Sequence, residues 1–306
     1  MTKPSHAGRS RSLDFGSIRF MEYSNGLSIA SRIEGIEADA WAELQLSVPQ
    51  DHRTRIGIQV LRYGRALSLL TTGVDNATVN RTFGLGFDEP LSSEQLDQIA
   101  STYIAAGVGR WLIQWSPAAA PAGAEAMITA QGGRLVAPTV KLWRPTNGAT
   151  TAVVASGLRV AEIGRDDAAT FQATVAEPLG VPAEMAPGIR STVGHDGWHF
   201  YLVYDGDRPI AGAAMFVQGE GAWFGVSATT STDRGRGAQT ALLSRRLHDA
   251  TALGCKWVSA DTRSETPESR NPSFHNMRRA GLDVLYYRPT FLFGARDTPT
   301  ATSPSV

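Results

Sequence analysis

At 306 residues the chain exceeds one ordinary compact domain, and 42% hydrophobic with 19% charged content fits a soluble globular protein with a sizeable core. Twenty-nine basic residues balance twenty-nine acidic ones, so no overall field draws the chain to nucleic acid or to an anionic membrane. The single cysteine, Cys255, excludes an intramolecular disulfide and a cysteine-rich zinc site.

The first 17 residues are polar, without the apolar run of a signal peptide, and are expected to be disordered. A first α/β half follows over residues 18–145. In it Ala66–Leu70 and Arg110–Trp115 read as strands bounded by Gly or Pro. Between them Ser92 and Gln95 have capping-box spacing, and Leu96, Ile99, Tyr103 and Ile104 continue at helical spacing to Gly107. Gly84-Leu85-Gly86 reads as a tight turn, because no helix begins directly after it. A helix over 124–131 leads to a strand through Lys141-Leu142-Trp143.

The turn formers of 146–157 mark a linker to a more regular second half, 158–293. Its expected order is a strand at 158–163, helical stretches from Asp166 to Val193, and an antiparallel meander of three strands over His199–Tyr204, Ile210–Val217 and Ala222–Thr229. A helix over 237–253 then places Leu243, Leu247 and Ala250 on one face and stops at Gly254. A strand at 256–260, a helix at 271–280 and a strand at 284–287 complete the half, and the Pro/Ser/Thr-rich tail 294–306 is expected to be disordered. No stretch approaches a membrane span; the expectation is a cytoplasmic protein with no membrane and no nucleic-acid partner. His195 and His199 lack a third ligand nearby, so no metal site is expected.

The chemistry concentrates where the last meander strand runs into Arg234-Gly235-Arg236-Gly237-Ala238-Gln239 and a helix begins. A glycine-rich turn feeding a helix N-terminus offers unpaired N–H groups and the positive end of the dipole to an anion. The plainer alternative is a basic turn with its arginines in solvent.

This strand, loop and helix, in this order of elements, resembles the acyl-CoA-binding motif of the GNAT superfamily of N-acetyltransferases. The resemblance covers Leu158 to Phe293, with the later Asn271-Pro272-Ser273 and the closing Ala280-Gly281-Leu282. The run Arg236-Gly237-Ala238-Gln239-Thr240-Ala241-Leu242-Leu243, and the earlier Asn80-Arg81-Thr82-Phe83-Gly84-Leu85-Gly86, look like a branch built of two tandem GNAT-like halves whose first half lacks the loop. The resemblance implies an α/β (α+β) fold of two GNAT-like domains, each a mixed, mostly antiparallel sheet flanked by helices.

It also implies that acetyl-CoA, or another acyl-CoA, puts its pyrophosphate on the loop and pairs its pantetheine arm with Ser227-Ala228-Thr229. Asn271 and Ser273 would contact that arm, while their plainer role is to start a helix. The acceptor would be the amine of a small molecule, attacking directly, with N–H groups near Thr229 stabilising the developing charge. Asp261 and Glu265 are candidate bases, though each also reads as a solvated carboxylate. The superfamily often carries a tyrosine as acid where Met277 stands, leaving His275 and Tyr286 as substitutes; it prefers Gly or Ala at Gln239. Competing expectations are a non-catalytic GNAT-like binding protein and a transferase for a non-acetyl acyl group. Cys255 reads as structural.

Overall fold

The computed structural model describes residues 28–147 and 157–294. The termini expected to be disordered and the expected linker fall outside the described residues, apart from Gly294 at one end and Thr146, Asn147 and Gly157 at the linker's edges.

The first half runs α1 (Ile29–Leu46), α2 (Gln50–Ile56), β1 (Ile58–Tyr63), β2 (Ala66–Thr71), β3 (Arg81–Phe83), α3 (Ser93–Ala105), β4 (Arg110–Gln114), α4 (Ala124–Ala130) and β5 (Arg134–Pro145). The second runs β6 (Leu158–Ile163), α5 (Ala168–Val175), α6 (Ala186–Thr192), β7 (Trp198–Asp205), β8 (Arg208–Gln218), β9 (Gly221–Thr229), α7 (Ala238–Ala252), β10 (Trp257–Arg263), α8 (Pro272–Arg279) and β11 (Asp283–Gly294). The meander, the helix after the glycine loop and the Ser92/Gln95 capping box all stand where the sequence puts them.

The halves repeat one plan. In each, antiparallel strands lead to a helix and then to a strand parallel to the last of them: β3 beside β4, and β9 beside β10. Each half then adds a helix and a final strand, and those final strands are exchanged. The sheet order is β1-β2-β3-β4-β11-β5-β10-β9-β8-β7-β6, so the second half's β11 lies beside β4 and the first half's β5 lies beside β10. Antiparallel pairing of β5 with β11 joins the two sheets into one of eleven strands.

Helix α1, like α2 and β1 after it, is an element that the sequence reading does not reveal. Twelve of its residues are buried, because one side packs on Leu67, Leu69 and Phe83 of the first half and another on the core of the second. A helix covered on several sides has no polar stripe for a period of 3.6 to show. It also carries Glu34 and Glu37 inward. Glu37 accepts from Lys141 of β5 and from both Nη atoms of Arg288 of β11, at 2.8 and 3.1 Å for the latter. Glu34 accepts from the Tyr286 hydroxyl at 2.7 Å and from Arg288 at 3.0 Å. Burial alone would push the Glu37 carboxyl up; Arg288 and Lys141 outweigh it and hold the group well below the ordinary carboxylate range. Two buried carboxylates facing two buried cations tie α1 to both exchanged strands, and losing one partner of such a set costs about 3–5 kcal/mol.

On the opposite face of the second half, α7 buries Leu242, Leu243 and Leu247 against the sheet, each worth on the order of 1.5–3 kcal/mol. This anchors the helix whose N-terminus the site uses.

Candidate functional site

Strands β9 and β10 run parallel only from Gly221/Trp257 to Phe224/Ala260, although both continue further. The cause lies on the other edge of β9. Its pairing with β8 slips between Gly212 and Ala214, so that Val226 and Ser227 stand opposite one residue, and Val226 adopts φ 45°. Positive φ on a β-branched residue costs on the order of 1–3 kcal/mol. A bulge of this kind bends the strand, and here β9 swings away from β10. The backbone edge of Ser227, Ala228 and Thr229 is left facing a cavity of about 650 Å³.

The far wall of that cavity is the loop and the start of α7: Asp233, Arg234, Gly235, Gly237, Ala238 and Gln239. Gly237 stands at the N-cap with φ 86°, no side chain caps the helix, and its first turn holds no acid. A Cβ added at Gly235 or Gly237 would meet nothing within 4 Å. The glycines therefore serve positive φ and open approach rather than packing, and the N–H groups of the first turn are left for an anion.

The two loop arginines divide. Arg234 is exposed, lines the cavity and makes no ion pair among the described residues. Arg236 turns away to Asp205 and Asp233, at 2.8 and 2.7 Å, and does not line it. Asp233 is the loop's brace. Its carboxylate also takes Arg208 in a bidentate pair at 2.7 and 2.9 Å and the hydroxyl of Thr230 at 2.8 Å. The Arg208 bond, then that of Thr230, holds it far below the ordinary aspartate value.

The third wall is α8, with Pro272, Ser273, Asn276 and Arg279. Gln239 spans the floor, donating to Ser273 Oγ at 2.6 Å and accepting from Asn276. Asn271 is buried and used up as a cap: its Oδ1 accepts from Ser273 N at 3.0 Å, and its Nδ2 donates to Thr262 Oγ1 and the Arg263 carbonyl. Asn276 and Arg279 are site residues that the sequence reading missed, although they follow Ser273 at spacings that keep one helix face.

Asp261 stands one residue past the last β9–β10 pair, where the strands part, and accepts from the Trp223 indole at 3.1 Å. Glu265 and His275 pair with each other at 2.9 Å, and they, like Asp261, lie outside the cavity lining. The Asn271 N–H holds Glu265 below the ordinary carboxylate value, with His275 assisting. Met277 is buried in the α7 core, and the Tyr286 hydroxyl is committed to Glu34. Cys255 is buried, which pushes its thiol up and away from nucleophilic use.

On the other side of the bulge lies a second, apolar recess, which reaches Val226 itself. The two bulge residues thus line different hollows, Ser227 the one beside the loop and Val226 the one between the halves.

No family model and no curated protein matches the sequence. Among solved structures, a GCN5-related N-acetyltransferase from Kribbella flavida superposes with a TM-score of 0.58 at 13% identity, covering 86% of this chain and 94% of its own. One from Sphaerobacter thermophilus gives 0.57 at 14%, covering 86% and 93%. A tandem GNAT protein from the clavulanic acid biosynthesis pathway gives 0.52 at 12%, covering 88% and 97%. The chain has a tandem GNAT fold. The two halves of that fold correspond to the two repeats of the sheet, and the glycine loop with its cavity belongs to the second.

Among the described residues no group of three or more His, Cys, Asp or Glu could hold a metal ion, and no helix is long and apolar enough to cross a membrane. His195 reaches Ser47 and His199 reaches Glu162, so the two histidines engage different partners.

Proposed function

We propose that the chain is an acyl-CoA-dependent N-acyltransferase, with acetyl-CoA as donor and the amine of a small molecule as acceptor. The observation that carries this reading is the parting of β9 from β10 at a bulge, directly before a loop whose glycines open on a large cavity. The open loop fits a pyrophosphate: free N–H groups at the start of α7 and Arg234, which makes no ion pair among the described residues, would take it, with Arg279 of α8 as a second cation lining the same cavity. The free edge of Ser227–Thr229 would hold the amide-bearing arm of the donor as an added strand. Gln239, braced by Ser273 and Asn276, shapes the floor, and Asn271 acts through the α8 cap that positions Ser273.

The acceptor's neutral nitrogen would attack the thioester carbonyl carbon, forming the C–N bond as the C–S bond breaks. Its proton would pass to Asp261, which stands where the strands part. The Asn271 N–H and His275 stabilise the charged form of Glu265, which weakens it as a base. With Met277 at the usual acid position, the thiol would depart as thiolate, which its ordinary pKa of about 8.5 permits.

Titration calorimetry on the full chain tests the reading. One acetyl-CoA per chain is expected, and a hundredfold excess over Kd should stabilise the protein by about 2.7 kcal/mol. Thiol release against a panel of amines, repeated with longer acyl-CoAs, then tests the transfer and the acyl group. No binding at millimolar acetyl-CoA would overturn the proposal.

A further inference from the structure

The recess on the far side of Val226 has a volume of about 200 Å³ and is walled by both halves, with Trp41 and Leu44 of α1 facing Val181, Met185 and Ile189. Among the described residues only one charged side chain lines it, that of Arg81, and no carboxylate does. The Arg81 guanidinium stacks on Trp41 at 4.0 Å, and its Nε is enclosed without a hydrogen-bond partner.

The neighbouring carboxylates are not in contact with it. Both oxygens of Glu37 are taken by Lys141 and Arg288, and Asp261, which receives the Trp223 indole on one oxygen, makes no ion pair with Arg81. Each of those other buried cations touches a carboxylate; Arg81 makes no ion pair among the described residues. Burial pulls its pKa down, while Glu37 and Asp261 oppose this from a distance. Arginine nevertheless stays charged. A half-buried cation without an ion-pair partner is costly, and its planar fork matches a carboxylate.

We infer that the acceptor is an amine on an apolar or aromatic body that also bears a carboxylate, such as a free apolar amino acid, with the carboxylate held by Arg81. This assignment rests on the transferase reading, which makes the recess the acceptor side of the bulge. The apolar wall takes the body of the molecule, and Val226 marks the side from which its amine meets the donor.

The test uses the full chain and two probes of nearly the same shape, the anionic 3-phenylpropanoate and the neutral 3-phenylpropanamide, titrated without any coenzyme. A charge-assisted pair in a half-buried site should favour the carboxylate by about tenfold to a hundredfold. Arg81→Met should erase the preference and Arg81→Lys should retain part of it, while acetyl-CoA binding to both variants stays unchanged. In turnover, phenylalanine should exceed 2-phenylethylamine in kcat/KM by a similar factor. Equal affinity for the two probes in the unaltered protein, binding of neither, or a preference that survives Arg81→Met would overturn the inference. The last of these is the result expected if Arg81 only balances Glu37 and Asp261 at a distance. Absence of acetyl-CoA binding beside an intact carboxylate preference would instead overturn the transferase reading.

Discussion

The two halves present the same turn, from the last meander strand into a helix, and only one turn is open. After β9 the backbone reaches α7 through two glycines with free space around them, an uncapped helix end and an exposed arginine. After β3 the chain reaches α3 through Gly84 and Gly86, which share the positive φ of their counterparts, 78° and 79° against 79° and 86°. Their surroundings reverse the outcome. A Cβ at Gly86 would lie 2.5 Å from the Ala120 carbonyl and 2.7 Å from Trp115, so this glycine serves packing. Asp88 and Glu89 line the hollow beside it, and Ser92 with Gln95 satisfies the helix end in a capping box. Glycine and positive φ alone do not make an anion site. Free N–H groups, open space and the sign of nearby charge decide it.

The comparison can be broken most severely by separating the halves. A fragment of residues 158–294 lacks β5, which fills the place between β10 and β11 and brings the buried Val140, Lys141 and Leu142. It is expected to show no cooperative thermal transition, whereas a chain with both halves melts in one; a folded fragment would mean that β11 can close on β10 directly. Next in size is the loop. Gly237→Glu puts a negative side chain into the open cavity, and acetyl-CoA affinity should fall more than a hundredfold by calorimetry with the fold retained. Gly86→Ala should do the converse, lowering the melting temperature through its contacts with Ala120 and Trp115 and leaving affinity within a factor of about two.

A smaller effect concerns the brace. Asp233→Asn should loosen the loop and weaken acetyl-CoA binding by about tenfold, on the scale of a charge-assisted hydrogen bond. Because the folded-state pKa of Asp233 is depressed, its contribution to stability is fully present above the ordinary aspartate value near 3.8 and is lost as pH falls below it towards the depressed value. Acid melting curves should therefore show the unaltered protein losing more stability between about pH 4 and 2 than Asp233→Asn does. The smallest change expected is Ser92→Ala, about 1 kcal/mol by denaturant unfolding, with coenzyme affinity unmoved.

Much of the second half was legible because its elements report their own neighbours. The near-continuous apolar runs in β7 to β9 encode a sheet covered on both faces, and the loop declares its chemistry in four residues. Helix α1 was not legible, since Ile33, Ala38 and Glu37 face different neighbours and each side is buried for its own reason. The exchange of β5 and β11 was not legible either, because period-two patterning reveals a strand and not its partner. The site divided along the same line. The roles of the loop glycines follow from local backbone chemistry. The diversion of Arg236 to Asp205, and the isolation of Arg81 once Glu37 is saturated by Lys141 and Arg288, depend on residues distant in the chain.

The crossing of β5 and β11 also sets a schedule for synthesis. When Pro145 leaves the ribosome, the first half has four strands and a fifth whose two neighbours, β10 and β11, have not been made. The last of them ends at Gly294, 149 residues later (294 less 145), which at about 5–20 residues per second is roughly 7–30 s of translation. Through that interval β4 and β5 expose bare edges, and Lys141 waits beside Glu37 without Arg288. A nascent chain arrested within the interval should engage chaperones, and release of the last strand should end the engagement in one step.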